Sequence, residues 1–143
     1  MSKYYFAKFM ALIALGFFMV LWLTPSAYPA GASKMFGVRI MTKETVGDYL
    51  VDGNGMTLYR FTKDRKNMSS CFEGCALNWP PFYTAPNSAK ENLEQSDFAT
   101  ITRRDGRQQT TYRGMPLYYF KNDKYPGDTF GDGIGDVWFL VTP

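Results

Sequence analysis

One stretch of the chain occurs twice, at an offset of 59 residues, and this duplication strongly limits the folds that are open to it. Residues 47–82 align with 106–141 without a gap, and nine of the aligned positions are identical. Self-similarity at a fixed period indicates structural units that recur along the chain. We therefore predict two equivalent units, repeat one over about 38–86 and repeat two over about 97–143.

Each repeat has the local sequence signals of short β-strands. Runs rich in Val, Ile, Thr, Tyr and Phe alternate with glycine-containing turns, as half-buried strands require. The predicted strands are 46–52, 56–62, 98–103, 108–112, 117–120 and 137–141. The first two should form a hairpin around Gly53-Asn54-Gly55, and the polar segment 86–97 should be a connector with one helical turn.

The fold class follows from the size of each repeat. About four short strands leave one repeat too little apolar surface to be stable alone, whereas two repeats can share a core. We predict an all-β fold in which the two tandem repeats form one domain over 33–143. Its architecture should be a pseudo-twofold sandwich or a barrel-like structure.

The N-terminus has the composition of an export signal. Lys3 and Lys8 precede an uncharged, apolar run over 9–23, and small residues follow as far as Ala30-Gly31-Ala32. Basic, apolar and small segments in this order are typical of a secretory signal peptide. The apolar run is about 15 residues long, shorter than the roughly 20 that span a bilayer. We predict a signal peptide over 1–32 and export to the periplasm or the cell exterior; the alternative is an uncleaved membrane anchor.

Composition excludes several classes of function. The chain has 143 residues, of which 16 are Lys or Arg, 13 are Asp or Glu and none is His. Without histidine, most zinc, copper and iron sites, Ser-His and Cys-His catalysis and covalent c-type haem are excluded. Near-neutral charge gives no electrostatic surface for nucleic acid. Because no nucleophile elbow, phosphate loop or metal-ligand cluster occurs, we expect no cofactor and no enzymatic activity.

The repeated motif supports two interpretations. Its candidate binding residues, with the tryptophan of each repeat, are Tyr59, Phe61, Asp64, Trp79, Tyr118, Phe120, Asp123 and Trp138. In each repeat the Tyr and the Phe are two positions apart and so share one face of a strand. The aromatic rings can form the core while the aspartates cap turns as Asx turns. Alternatively, the tyrosine hydroxyls and both carboxylates line a shared groove that binds a ligand.

The two cysteines, Cys71 and Cys75, lie between the Asp and the Trp of repeat one. In an oxidising compartment they should form a disulfide, which closes a small loop and stabilises by about 2 kcal/mol. They align with Phe130 and Ile134, so both positions should point inward in each repeat. The alternative is a redox-active pair or a copper site, with Met68 as a third sulfur ligand.

An acidic, glycine-rich loop over 127–136 also has two interpretations. Asp128, Asp132 and Asp136 occur at four-residue intervals among glycines. Such clusters are ordinary turn chemistry. Flexible, oxygen-rich loops also suit Ca²⁺, although this spacing is not that of an EF-hand.

These motifs together resemble a family of exported bacterial proteins, many of them lipoproteins, with a Tyr-x-aromatic-x-x-Asp repeat. The matching segments are Tyr59-x-Phe61-x-x-Asp64, Tyr118-x-Phe120-x-x-Asp123, Cys71-x-x-x-Cys75, Asn78-Trp79-Pro80-Pro81, 100–106, 126–129 and 137–141. The family is known as a secreted repeat of uncharacterised function, so the resemblance implies location and architecture but no reaction. The chain departs from it in having no cysteine that could carry a lipid near 30–33.

We expect an exported, non-catalytic binding or interaction module of the bacterial envelope. Its exposed aromatic groups would contact an envelope protein, a peptide or a glycan. The alternative is a redox or copper-handling accessory protein that uses Met68, Cys71 and Cys75, and a third is a purely structural role. The state of the cysteines separates the first two, because a metal carrier needs them reduced.

Overall fold

Each repeat begins with an antiparallel strand pair in the structure, a computed structural model that describes residues 37–85, 89 and 92–143. In repeat one, β1 (Val38–Lys43) pairs with β2 (Gly47–Asp52). The chain then forms β3 (Tyr59–Phe61). In repeat two, β4 (Phe98–Thr102) pairs with β5 (Gln108–Tyr112). The predicted signal peptide lies outside the described residues.

The remaining elements are short. β6 (Met115–Pro116) adds to the edge of β5, and β7 (Trp138–Leu140) pairs antiparallel with β3. This last pairing joins the middle of repeat one to the end of repeat two. The helical elements of the described chain are α1 (Gly74–Asn78) and two 3₁₀ turns at Gln95–Asp97 and Ile134–Asp136.

The two repeats meet at Tyr59 and Tyr118, whose backbones exchange N–H···O=C bonds of 2.9 and 3.0 Å. A residue pair that exchanges both bonds is locally twofold. Further contacts between the repeats are also reciprocal: the Gly127 N–H of repeat two donates to the Gly55 carbonyl of repeat one, and the Asn67 N–H of repeat one donates to the Gly114 carbonyl of repeat two. The two-repeat, pseudo-twofold arrangement predicted from the sequence is therefore present.

Two core clusters lie on opposite sides of the strand segments that contain Tyr59 and Tyr118. Tyr59 and Phe61 belong to the first cluster, whereas Leu58 and Leu117 belong to the second. This is the alternation that the motif predicts, because successive strand residues point to opposite faces. The described sheets have two or three strands and stay open. The all-β prediction is confirmed, and the open sheets fit a sandwich rather than a barrel.

Several predicted strands differ from the observed ones. The strand 56–62 shrinks to Tyr59–Phe61, and 117–120 keeps only bridges at Tyr118. The glycine turn after β2 is present, but the predicted hairpin is reduced to a single bridge between Val51 and Thr57. The next segment, β3, pairs with the distant β7 instead of with β2. The sequence interpretation also missed the short helix α1, and it missed β1, in which Arg39 and Thr42 interrupt the apolar pattern.

Candidate functional site

The motif tyrosine of each repeat donates its hydroxyl proton to the aspartate of the other repeat. Tyr59 Oη lies 2.6 Å from Asp123 Oδ2, and Tyr118 Oη lies 2.7 Å from Asp64 Oδ2. Both hydroxyls have a second partner, since the Gly131 N–H donates to Tyr59 and a serine hydroxyl lies 2.8 Å from Tyr118. Two crossed Tyr–Asp bonds thus join the repeats at their centre.

The second oxygen of each motif aspartate holds the loop that follows it. Asp64 Oδ1 accepts the backbone N–H of Ser70 at 2.6 Å, and Asp123 Oδ1 accepts that of Phe130 at 3.0 Å. These N–H groups are six and seven positions away, so the predicted Asx turns are wrong. Backbone bonds from each aspartate N–H back to the motif phenylalanine already close the turn, which leaves the carboxylate to hold the longer loop.

Burial dominates the electrostatics of this centre. It raises the pKa of Asp64 and of Asp123, although hydrogen bonds from the tyrosine and the loop backbone oppose the shift. Burial, with the adjacent carboxylate, also raises the pKa of Tyr59 and of Tyr118 far above 10.0. Both phenols therefore remain protonated donors, and the pKa values of the two carboxyls are shifted in the same direction.

Four aromatic rings form a continuous stack across the pseudo-dyad. Trp79 and Trp138 lie parallel at the centre, with ring centroids 3.9 Å apart. Phe120 stacks on the outer face of Trp79 at 4.4 Å, and Phe61 stacks on that of Trp138 at 4.2 Å. The tyrosine of each repeat stands edge-on to the tryptophan of the same repeat. Each phenylalanine thus packs on the tryptophan of the other repeat.

The structure brings all eight candidate residues into one buried cluster. Their exposed fractions lie between 0 and 9%. The stacked rings lie together with the two Tyr–Asp pairs, whose hydroxyl and carboxylate oxygens are all hydrogen-bonded within the protein. The predicted binding role of these eight residues stays a prediction, and their position is the shared interior of the two repeats.

Cys71 and Cys75 form a disulfide, as predicted from the export signal. The copper alternative is wrong for this state, because it needs two free thiolates and both sulfurs are bonded to each other. The third proposed ligand, Met68, is exposed on the surface. Among the described residues, no group of three or more His, Cys, Asp or Glu side chains could hold a metal ion.

The inward orientation predicted for the aligned positions holds only in repeat one. Cys71 is fully buried, whereas Phe130 is 67% and Ile134 is 38% exposed. The reason is that the backbone of Gly131 occupies the inner position in repeat two. A Cβ at Gly131 would lie only 2.8 Å from the Tyr59 ring, so no side chain fits there.

Two segments between the motif Asp and the Trp carry the exposed apolar surface: loop one (65–78) and loop two (124–137). Six large apolar side chains are strongly exposed in the described part of the chain, and five of them lie on these loops. They are Met68 and Leu77 on loop one and Tyr125, Phe130 and Ile134 on loop two. The sixth, Tyr83, lies outside both loops.

Sequence interpretation missed the side chains that fix these loops. Arg103, from repeat two, is buried and donates to Ser69 Oγ at 2.8 Å and to the Cys71 carbonyl at 2.6 Å on loop one. Lys43, from repeat one, donates to Thr129 Oγ1 at 3.0 Å on loop two. Arginine and lysine are nearly always exposed, so the sequence held no signal that these two would hold loops.

The chain matches the sequence model of a family described as a secreted repeat of unknown function, over 41–83 and again over 99–142. The two matches coincide with the two structural repeats and cover more than half of the chain. This protein belongs to that family. The description of this family as secreted agrees with the predicted export. Within the described residues, no helix has the length and apolarity to cross a membrane. Comparisons with curated proteins and with solved structures gave no match.

Proposed function

We propose that this secreted repeat is a non-catalytic interaction module of the bacterial envelope, working in the periplasm or at the cell exterior. The buried aromatic cluster is its scaffold, and loops one and two are its contact surface. The observation that carries this proposal is the concentration of exposed apolar side chains on two loops that the other repeat holds in place.

The polar centre supports a structural rather than a catalytic role. General acid–base pairs need one carboxyl with a raised pKa and one that stays ionised. Here burial raises the pKa of both Asp64 and Asp123, and both oxygens of each are already hydrogen-bonded. The tyrosines are donors with strongly raised pKa values and no open surface.

The loops have the properties of a contact surface. Soluble proteins rarely leave several large apolar side chains exposed together without a partner. Tyr125 and Phe130 supply aromatic surface of the kind that is enriched at protein and glycan interfaces. The carboxylates of Asp64 and Asp123 and the buried Arg103 hold the loop backbones in place. Little conformational entropy is therefore lost when the exposed side chains bind.

Site-specific photo-crosslinking in the producing bacterium tests this proposal. A photoreactive phenylalanine analogue at position 130 should give a discrete covalent adduct, because that side chain faces the partner. The same analogue in place of Tyr83, which is exposed outside the loops, is the matched control and should give none. Equal labelling from both positions, or none from position 130, would show that the loops are not the contact surface.

A further inference from the structure

The two ends of the molecule that the pseudo-dyad relates have opposite charge. The basic end is loop one with the turn 103–107, which Arg103 joins to it. The acidic end is loop two with the turn 43–48, which Lys43 joins to it. The basic end has five Lys or Arg against two acidic residues, a formal charge of +3. The acidic end has two Lys against five acidic residues, a formal charge of −3.

Each end also has exposed apolar side chains. The basic end presents Met68 and Leu77, and the acidic end presents Tyr125, Phe130 and Ile134. Met68 and Leu77 of the basic end can pack on the rings of Tyr125 and Phe130, with Ile134 as a third apolar group of the acidic end, and contacts between a methionine sulfur and an aromatic ring are favourable. The two ends are therefore complementary in charge and in the type of apolar side chain.

Loops one and two both cover the side of the strand segments at Tyr59 and Tyr118 that bears the stacked tryptophans, because Ser69 of loop one contacts the Tyr118 hydroxyl and Gly131 of loop two contacts the Tyr59 hydroxyl. Gly131 of loop two packs against the ring of Trp79, the residue that directly follows loop one. A second molecule related to the first by a twofold axis can then make two equivalent contacts. Its acidic end meets the basic end of the first molecule, and its basic end meets the acidic end of the first molecule. Such an isologous arrangement is closed, so it stops at two copies.

We propose that the loops dock a second copy of this chain, with the basic end of each molecule on the acidic end of the other. This inference rests on the proposed function, because it takes loops one and two as the contact surface. An anionic polymer would occupy the basic end alone and leave three of the five exposed apolar side chains uncovered. A second copy covers all five.

Sedimentation velocity of the exported protein, purified from its host, tests this pairing. We expect a concentration-dependent dimer in about 20 mM NaCl, and a dimer Kd at least about tenfold higher in about 500 mM NaCl, because salt screens the paired charges. A protein that is monomeric at every concentration in low salt would overturn the proposal.

Charge reversal gives a sharper test. Glu44→Lys with Asp136→Lys makes both ends basic, and Arg65→Glu with Lys66→Glu makes both ends acidic. These four side chains are exposed, and none of them makes a hydrogen bond or ion pair that holds a loop. Each double variant alone should be monomeric, because like charges then face each other. An equimolar mixture should form the heterodimer, which also shows that both variants are folded. A mixture that stays monomeric while circular dichroism shows folded chains would overturn the pairing.

Glu94→Lys is the matched control, since this exposed residue lies outside both ends and its side chain makes no capping hydrogen bond to the 3₁₀ turn that follows it. It should dimerise like the native chain. The crosslinking at position 130 separates the two proposals. A monomeric native protein with an adduct to another molecule would remove self-association and keep the interaction module, whereas the absence of both would remove both.

Discussion

At the scale of single residues, the crossed Tyr–Asp bonds are the polar contacts on which the fold depends most. Tyr59→Phe removes the donor of a buried carboxylate, Asp123, and the acceptor of the Gly131 N–H. We expect it to lower the free energy of unfolding by about 1–3 kcal/mol, because buried polar groups then lose their partners. Tyr118→Phe should have a similar effect. Urea denaturation followed by tryptophan fluorescence measures both.

Tyr125→Phe is the control for these variants, since that side chain is 72% exposed and its loss of a hydroxyl should not change stability. A double-mutant cycle between Tyr59→Phe and Asp123→Asn should show a coupling energy well above zero. If Tyr59→Phe were as stable as Tyr125→Phe, the crossed bonds would not contribute to the fold.

The sequence predicts which motif residues share a face, but not which of them are partners. Tyr59 and Tyr118 have the same spacing to their phenylalanines, and strand geometry alone places both pairs inward. Both repeats contain the same Tyr and Asp, so pairing within a repeat and pairing between repeats have the same sequence pattern. Phe130 shows a second limit: alignment with a buried cysteine predicts burial, yet the neighbouring Gly131 takes the inner position.

At the scale of structural elements, the disulfide should stabilise loop one modestly. A bridge between Cys71 and Cys75 closes a loop of only a few residues, so the chain-entropy model gives about 2 kcal/mol. Asp64 and Arg103 hold the same loop independently. We therefore expect the reduced protein to stay folded with a lower urea midpoint, which denaturation with and without a thiol reductant would measure.

Replacing both cysteines by alanine provides the control for reduction. Alanine is the appropriate substitute because Cys71 is fully buried, and the larger phenylalanine of repeat two would overpack this site. The double variant should match the reduced protein in stability and should not respond to reductant. Complete unfolding on reduction would mean that the bridge, and not the hydrogen bonds, holds loop one.

Strand positions follow from local sequence, whereas strand partners do not. β2 and β5 have the β-branched and aromatic residues that half-buried strands favour, and both appear within a residue or two of their predicted bounds. The pairing of β3 with β7 brings the middle of repeat one together with the end of repeat two. Such non-local pairs are set by packing of the whole domain, for which a strand of three residues carries too little pattern.

At the scale of the whole molecule, the raised pKa of Asp64 and of Asp123 gives stability a definite dependence on pH. A carboxyl whose pKa is raised by folding binds more protons in the native state, so its contribution is present below the unfolded value of 3.8 and is lost as pH rises through the raised value. We expect the stability difference between the native chain and the Asp64→Asn, Asp123→Asn variant to increase as pH falls from 7 towards 4.

Unfolding free energies at a series of pH values test this prediction, and Asp105→Asn is the matched control. Arg107 lowers the pKa of Asp105 to about 2, so its contribution is present above 3.8 and is lost as pH falls towards 2. Between pH 7 and 4 the stability difference for Asp105→Asn should therefore stay constant, and below 3.8 it should decrease as the pH falls. A stability difference for the first variant that does not change between pH 7 and 4 would contradict the burial argument.

The whole-molecule architecture was the most predictable level. A period of 59 residues, with too little apolar surface per repeat, predicts one domain made from two equivalent units, and the structure has them. The opposite charge of the two ends is also present in the sequence. It becomes visible only when Arg103 and Lys43 show which turn belongs to which loop, because each end combines segments from both repeats.

The crossed bonds also set an order of events while the chain is being made. Tyr59 and Asp123 are 64 residues apart, and Tyr118 and Asp64 are 54 apart. Contacts over such separations form only after long loops have closed, and they are slow for that reason. Repeat one leaves the ribosome first, yet its tyrosine and aspartate have no partners until repeat two emerges. Repeat one of such a secreted chain therefore cannot complete its fold during synthesis. An incompletely folded chain is the form that a translocation channel for unfolded polypeptides can carry.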